Sequence, residues 1–273
     1  MSTYIVGDIH GCYKELRLLL NKANFNFKKD YLWITGDLVF KGPDSLKVLK
    51  YIYSFKNKVR IVLGNHDINL ISMYFNVYNK NNCTNELLYN LLNYSDHKIL
   101  IDWLRFQPLL QVDHNLKIVM SHAGIFPKWS LIDVQFYANE VEKILRSKYF
   151  KYFLKRLWGN FPNKWNINLK GVKRFRFIVN SLTRMRYCFS NFYLDMQYKL
   201  FPCNSSSCLK PWFDFDSKIA KTNYIIFFGH WSSLKGNHTP PKVIALDTGC
   251  CWGGCLTMVR VEDFTYFYQP KIL

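Results

Sequence analysis

Two periodicities alternate along the first third of the chain. Short apolar and β-branched runs fall at 3–7 (TYIVG), 31–35 (YLWIT) and 59–63 (VRIVL), as buried strands do. Between them, CYKELRLLLNKANF and PDSLKVLKYIYSFK place leucines three and four residues apart, on one face of a helix. Pro43 opens the second stretch, and its fixed φ suits a first helical turn. Strand, helix, strand, helix, strand predicts a mostly parallel sheet with covering helices, whose loops at the strand C-termini gather ligands on one edge.

Farther along, DHKILIDWLRFQPLL reads as a helix ending near Gln107–Pro108, and LKIVMS as a buried strand ending at His122. From 128 to 222 the pattern turns helix-prone, basic and aromatic, followed by the irregular piece LFPCNSSSCLKPWF. We expect a helical insertion or cap over the sheet edge there, within a single domain spanning 1–273. Strands resume with YIIFFG (224–229), KVIALD (242–247), CLTMVRV (255–261) and FTYFYQ (264–269).

With 49% hydrophobic and 21% charged residues, the chain is too apolar for disorder and long enough to bury a core. No apolar run approaches the roughly 18 residues that cross a bilayer, and no secretory leader pattern precedes the first strand, so a cytoplasmic protein without a membrane partner is expected. Cysteines 12, 83, 188, 203, 208, 250, 251 and 255 lack both a disulfide-scaffold spacing and paired CxxC spacing, so reduced packing thiols are expected. The net charge of +18 fits a polyanionic ligand. It fits equally a compositional drift toward Lys, Asn, Tyr, Phe and Ile, and so decides nothing alone.

The chemistry gathers at strand ends. GDIHG (7–11), GDLVFKG (36–42), GNHD (64–67), SHAG (121–124) and GHW (229–231) each follow an expected strand. A doubly wound sheet would bring Asp8, His10, Asp37, Asn65, His122 and His230 to one rim. Mixed carboxylate, amide and imidazole donors suit Mn²⁺, Fe²⁺, Co²⁺ or Zn²⁺, and a carboxylate such as Asp37 can bridge two ions. Each short motif is weak evidence alone; five in order at strand ends are not.

That series resembles the PPP-type, calcineurin-like metallophosphoesterases. LIDWLRFQPLLQ, SHAGIFPKW, NSLTRMRYC, LKPWF, FFGHW and ALDTGCCWGGCLTMVR further resemble its bacterial branch of symmetrical bis(5′-nucleosyl)-tetraphosphatases, from Tyr4 to about Gln269. The resemblance implies an α/β metallophosphoesterase fold: central β-sheets forming a β-sandwich, flanked by helices, with the 128–222 insertion as a cap. It implies a hydrolase that splits diadenosine tetraphosphate symmetrically into two ADP, by attack of a hydroxide held between two metals on an internal phosphorus. Two divalent ions are implied, manganese or cobalt first, iron or zinc otherwise. Asp8, His10 and Asp37 would hold one; Asp37, Asn65, His122 and His230 the other. His66 would be the general acid, and Asp67 would orient it or structure the loop. The implied partner is a dinucleoside polyphosphate, with nucleotide-capped RNA a further candidate and no obligate protein partner. The alternative on the same scaffold is a phosphoprotein or general phosphomonoester phosphatase.

Two positions depart from the wider family's GDxxDRG. Phe40 stands where the protein phosphatases carry an acid, and a departing ADP phosphate, with a pKa of about 6–7, needs less proton assistance than an alkoxide. Lys41 replaces an arginine and offers phosphate a point charge instead of a fork. Arg184, then Arg186, are candidates to compensate. Trp212, Phe213 and Trp231 are candidates for base contact, although burial in the core is the commoner fate of such residues. Asp247-Thr248-Gly249 ends a strand on the same rim and carries no assigned role.

Overall fold

The computed structural model describes residues 1–77, 86–202 and 208–272. Strand β1 (Thr3–Val6), helix α1 (Tyr13–Lys22), β2 (Tyr31–Ile34), α2 (Ser45–Ser54) and β3 (Val59–Ile61) follow the expected alternation. Helix α2 begins two residues after Pro43. Next come α3 (Asn65–Tyr74), α4 (Glu86–Leu92), α5 (His97–Arg105), β4 (Leu110–Asp113) and β5 (Ile118–Ser121). The second half holds α6 (Leu131–Arg146), α7 (Phe150–Leu157), α8 (Gly171–Thr183), β6 (Tyr187–Phe189), β7 (Leu194–Asp195) and β8 (Leu209–Pro211). It closes with β9 (Ile225–Phe228), β10 (Val243–Ala245), β11 (Cys255–Arg260) and β12 (Thr265–Pro270).

Among the described residues the central strands form two mixed sheets, as the resemblance implied, instead of the one mostly parallel sheet that periodicity predicted. The first runs β12-β11-β1-β2-β3 and the second β10-β9-β5-β4. Each contains a parallel triplet, β1-β2-β3 and β5-β9-β10, extended by antiparallel strands. The two-residue alternation of strand side chains explains the partition. Tyr4, Val6, Leu32, Ile34, Val119, Ile226 and Phe228 face the large core with the helices. Ile5, Trp33, Ile118, Met120 and Phe227, the residues between them, form a second core with Val62, Leu246, Val259 and Val261. That second core contains residues of both sheets, which therefore pack face to face as a sandwich with helices outside. Both faces of these strands are apolar, so periodicity alone could not reveal that two sheets meet.

Among its described residues the segment 128–222 contains three α-helices and also the small sheet β7-β6-β8. Its strands are two or three residues long, too short to show an alternation. Helix α6 starts on a capping box: the Asp133 N–H donates to Ser130 Oγ at 3.2 Å and the Ser130 N–H to Asp133 Oδ2 at 2.8 Å, satisfying donors that a helix N-terminus leaves open. Cysteines 12, 188, 208, 250, 251 and 255 are free; Cys83, Cys203 and the centre of the linker-like piece lie outside the described residues. Among the described residues no helix is long and apolar enough to cross a membrane.

Candidate active site

The C-terminal ends of β1, β2, β3, β5, β9 and β10 lie on one rim because these six strands form the two parallel triplets. Asp8, Asp37, Asn65, His122, His230 and Asp247 follow them in turn. Two overlapping groups of side chains each converge within 4.8 Å: Asp8, Asp37 and His122, and His10, Asp37 and His66. Asp37 belongs to both. Its Oδ2 lies 3.3 Å from His122 Nε2 and 3.7 Å from His10 Nε2.

The three candidate histidines share one design. His10 Nδ1 meets the Val39 carbonyl at 3.1 Å, His122 Nδ1 that of Thr35 at 2.8 Å, and His230 Nε2 that of Arg184 at 3.1 Å. Each carbonyl accepts the proton of one ring nitrogen and turns the lone pair of the other inward, which is how metal-binding histidines are oriented. Asp8 is fixed likewise, accepting from Thr35 Oγ1 at 2.9 Å through Oδ1 and from the His230 N–H at 2.9 Å through Oδ2. Asp37 Oδ1 accepts the His66 N–H at 2.8 Å, leaving Oδ2 to face the imidazoles.

Close approach explains two glycines. A Cβ at Gly64 would strike Asp37 Oδ1, and one at Gly229 would strike Asp8 Oδ1. The backbone itself is strained at the site. His10 (φ 47°), Asp37 (φ 48°) and His230 (φ 64°) all adopt the left-handed conformation, which non-glycine residues hold only where the surroundings enforce it.

These donors fit divalent cations. Ligands about 2.0–2.2 Å from a shared ion stand roughly 3 Å apart, close to the separations seen here. The outer atom of the Asn65 amide sits 3.2 Å from His122 Nε2 and 3.0 Å from His230 Nδ1. Either the amide nitrogen donates into this cluster, or its oxygen joins the imidazole lone pairs around a cation. Protonation points the same way. Burial opposes a charge on His122, yet the Asp37 and Asp8 carboxylates hold it up to about 10. Burial, Asp247 and Asp37 push Asp8 well above the usual carboxylate range. Burial also pushes Asp37 upward, but His122 and His66 hold it well below its ordinary value. Carboxylates and imidazoles packed this closely perturb one another strongly, as at sites built around charge.

His66 differs from the other three. Among the described residues no hydrogen bond fixes either of its ring nitrogens; its ring meets His10 edge-on at 5.0 Å and Phe40 at 5.8 Å. Burial brings it down to about 4, with Asp37 opposing and the His10 and Lys41 charges adding to the fall. It lines the cleft with a ring free to exchange a proton. Asp67 is expected either to orient it or to structure the loop, and among the described residues its hydrogen bonds are all to loop backbone. Its carboxylate accepts N–H bonds from Asp37 (2.8 Å), Leu38 (2.9 Å) and Gly64 (3.0 Å), tying the ends of β2 and β3 together.

Over this rim opens a cleft of ≈ 540 Å³ lined by Lys41, Arg184, Arg186 and Lys199 as well as His66 and Asp247. Arg184 is braced by Asn180 Oδ1 at 2.9 Å and Asn160 Oδ1 at 3.0 Å, and Arg186 donates to the His230 carbonyl at 3.0 Å. Burial brings Arg186 down to about 10, against the pull of Asp247 and Asp8. Asp247 itself is pushed up by burial and accepts the Gly249 N–H. Of the aromatic candidates, Trp212 and Phe213 are core residues; Trp231 is buried at 1% exposure with an edge on the cleft. Sequence reasoning missed Lys199, which no motif marks, and Trp252, whose signal is a tryptophan set among the glycines of a turn.

The chain matches curated relatives over its whole length. It is 50% identical over 272 residues to a protein of Proteus mirabilis (strain HI4320) named "Bis(5'-nucleosyl)-tetraphosphatase, symmetrical", covering 100% of this chain and 98% of that one. A protein of Photorhabdus laumondii subsp. laumondii with the same name is 52% identical over 272 residues, covering 100% and 98%. A point mutant of a cold-active protein tyrosine phosphatase shares the fold, with a TM-score of 0.61 at 19% identity over 98% of this chain and 80% of that one. Residues 1–231 match the profile of the calcineurin-like phosphoesterases. The chain belongs to the calcineurin-like phosphoesterase family.

Proposed function

We propose that this protein is a cytoplasmic hydrolase that cleaves diadenosine tetraphosphate symmetrically into two ADP. The observation that carries the reading is a cleft in which four cationic side chains face a rim of metal donors, in a chain about half identical to relatives bearing that name from end to end. The family implies two divalent ions, which we assign to manganese or cobalt, with iron or zinc otherwise. Asp8, His10 and Asp37 would hold one; Asp37, Asn65, His122 and His230 would hold the other. Bound there, the ions would supply Lewis acidity toward water and phosphate oxygens.

The chain's own residues do the remainder. Lys41, Arg184, Arg186 and Lys199 neutralise the polyphosphate and align an internal phosphorus over the rim. Segment 128–222 acts as an insertion that brings Arg184 and Arg186 over the site. His66 is the general acid. Its ring lines the cleft beside the rim, placed to deliver a proton toward the leaving oxygen. Asp67 is a positioning residue. Phe40 packs on His66 where a supporting acid would otherwise stand, which suits a phosphate leaving group and disfavours phosphoprotein hydrolysis. Nucleotide-capped RNA presents the same polyphosphate linkage.

Chromatography of the products from purified protein, Mn²⁺ and diadenosine tetraphosphate tests the reading. ADP as sole product, abolished by chelator, is expected. ATP with AMP would move attack to an outer phosphorus, and turnover insensitive to chelator would refute the two-metal assignment.

A further inference from the structure

We propose that Trp252 is the platform on which one adenine of the substrate stacks, in a pocket that shares a wall with the phosphate cleft. The proposal rests on the function given above. Trp252 alone among the eight tryptophans is exposed, at 65%, whereas Trp33, Trp129, Trp212 and Trp231 are fully buried. An indole is held in water here by construction. Its turn runs from Gly249 (φ 74°) to Gly253 (φ 90°), left-handed conformations that glycine adopts without strain. The turn is closed by N–H bonds to the Gly249 carbonyl from Trp252 (2.9 Å) and Gly254 (2.9 Å), and by one from Gly253 to Cys250 (3.2 Å). Cys250 anchors it in the core at 2% exposure. A rigid, displayed aromatic gives contact area at little entropic cost, as binding sites require.

Position decides what it contacts. Trp252, Ser232 and Ser233 line both the ≈ 540 Å³ phosphate cleft and an adjoining pocket of ≈ 630 Å³. Tyr268, half exposed, shares that second pocket. Its size suits a nucleoside. On the cleft side, Lys41 Nζ lies 5.3 Å from the centroid of the Trp252 ring, within cation–π range. A phosphate cation and an aromatic plane thus stand one ring apart, matching a ligand in which a polyphosphate chain ends in a flat base. Stacking is tolerant of base identity, because every base offers a π-face; the site therefore selects for a nucleoside and only weakly for adenine over guanine.

The test compares a ligand with a base to one without. Calorimetry with the metal-loaded full chain gives Kd for ADP and for inorganic pyrophosphate in wild type, Trp252→Ala and Trp252→Phe. Trp252→Ala should weaken ADP by about 5- to 150-fold, the range of alanine effects on base–aromatic stacking, and change the ADP-to-pyrophosphate ratio by nearly as much. Trp252→Phe should restore most of that ratio, and KM for diadenosine tetraphosphate should follow the same order. Equal weakening of both ligands would overturn the base platform, leaving Trp252 as a support for Lys41. A ratio changed by less than twofold in a protein that cleaves diadenosine tetraphosphate would overturn it too. Wild type that binds ADP through Trp252 yet yields no ADP from the tetraphosphate would support the platform and sink the reaction.

Discussion

Replacing Asp67 with alanine separates two jobs a carboxylate beside the proposed general acid can have. The substitution deletes the acceptor of three buried N–H groups, those of Asp37, Leu38 and Gly64. A buried donor left without a partner costs about 1–3 kcal/mol. Water entering the vacated space recovers part of that, so a net destabilisation of about 3–5 kcal/mol is expected, against a typical domain stability of about 5–15 kcal/mol. At about 2 °C per kcal/mol for a chain of this size, Tm should fall by about 6–10 °C. Urea unfolding of chelated protein at fixed pH should show a lower midpoint at an unchanged m-value. The turn that Asp67 ties carries Asp37, so manganese affinity should fall about 10- to 100-fold, as for other residues that support metal ligands. Asp67→Asn should behave more like alanine than like wild type, because its amide would turn hydrogen toward N–H donors. A variant with wild-type stability and metal affinity but lowered kcat would refute this account and make Asp67 the orienter of His66.

Gly229→Ala puts a methyl where Asp8 Oδ1 and Thr35 Oγ1 stand; manganese affinity about 10- to 100-fold weaker is expected with circular dichroism preserved, and an unchanged titration would show that Asp8 yields freely. Lys41→Arg restores a phosphate fork and should raise kcat/KM severalfold, whereas unchanged kinetics would make position 41 a spectator. Phe40→Asp sets a carboxylate beside His66 and should favour phosphomonoesters over the tetraphosphate; an equal rise for both would detach Phe40 from leaving-group chemistry. Although burial pushes Glu15 up, Lys271 at 2.8 Å and the Ile272 N–H hold it below its ordinary 4.5. A depressed folded-state pKa stabilises above the unfolded value and loses that contribution as pH falls through the folded one. The Tm gap between wild type and Glu15→Gln, from a loss of about 1.5–3 kcal/mol at neutral pH, should therefore close below about pH 4; a gap independent of pH would show that packing, not charge, is lost.

What the sequence made legible was local. A strand, a glycine and a polar side chain occupy consecutive positions, so GDIHG or GNHD announces its element and its chemistry together. The donors Asp8, His10, Asp37, Asn65, His122 and His230 could be read in this way. The sandwich came from the family resemblance and not from the pattern, because Ile5 and Val6 are equally apolar although one faces the opposite sheet and the other the helices. Nor could the pattern show the work of Asp67, whose partners at 37 and 38 are adjacent only after β2 and β3 pair. Lys199 and Trp252 reach the cleft through tertiary packing alone. The small sheet β7-β6-β8 stayed hidden for another reason: two or three residues carry no period.

The two parallel triplets belong to different sheets, and the proposed ligands are divided between them. Asp8, Asp37 and Asn65 hang from one sheet, His122 and His230 from the other. Ions held by these side chains would act as rivets through a seam. The sandwich is glued along its length by side chains such as Trp33 and Phe227, but at the rim coordination bonds to both layers would join it. Chelation would leave both sheets intact and free their edges to slide, so amide exchange should quicken first at the loops after β2 and β5, well before the strands themselves open.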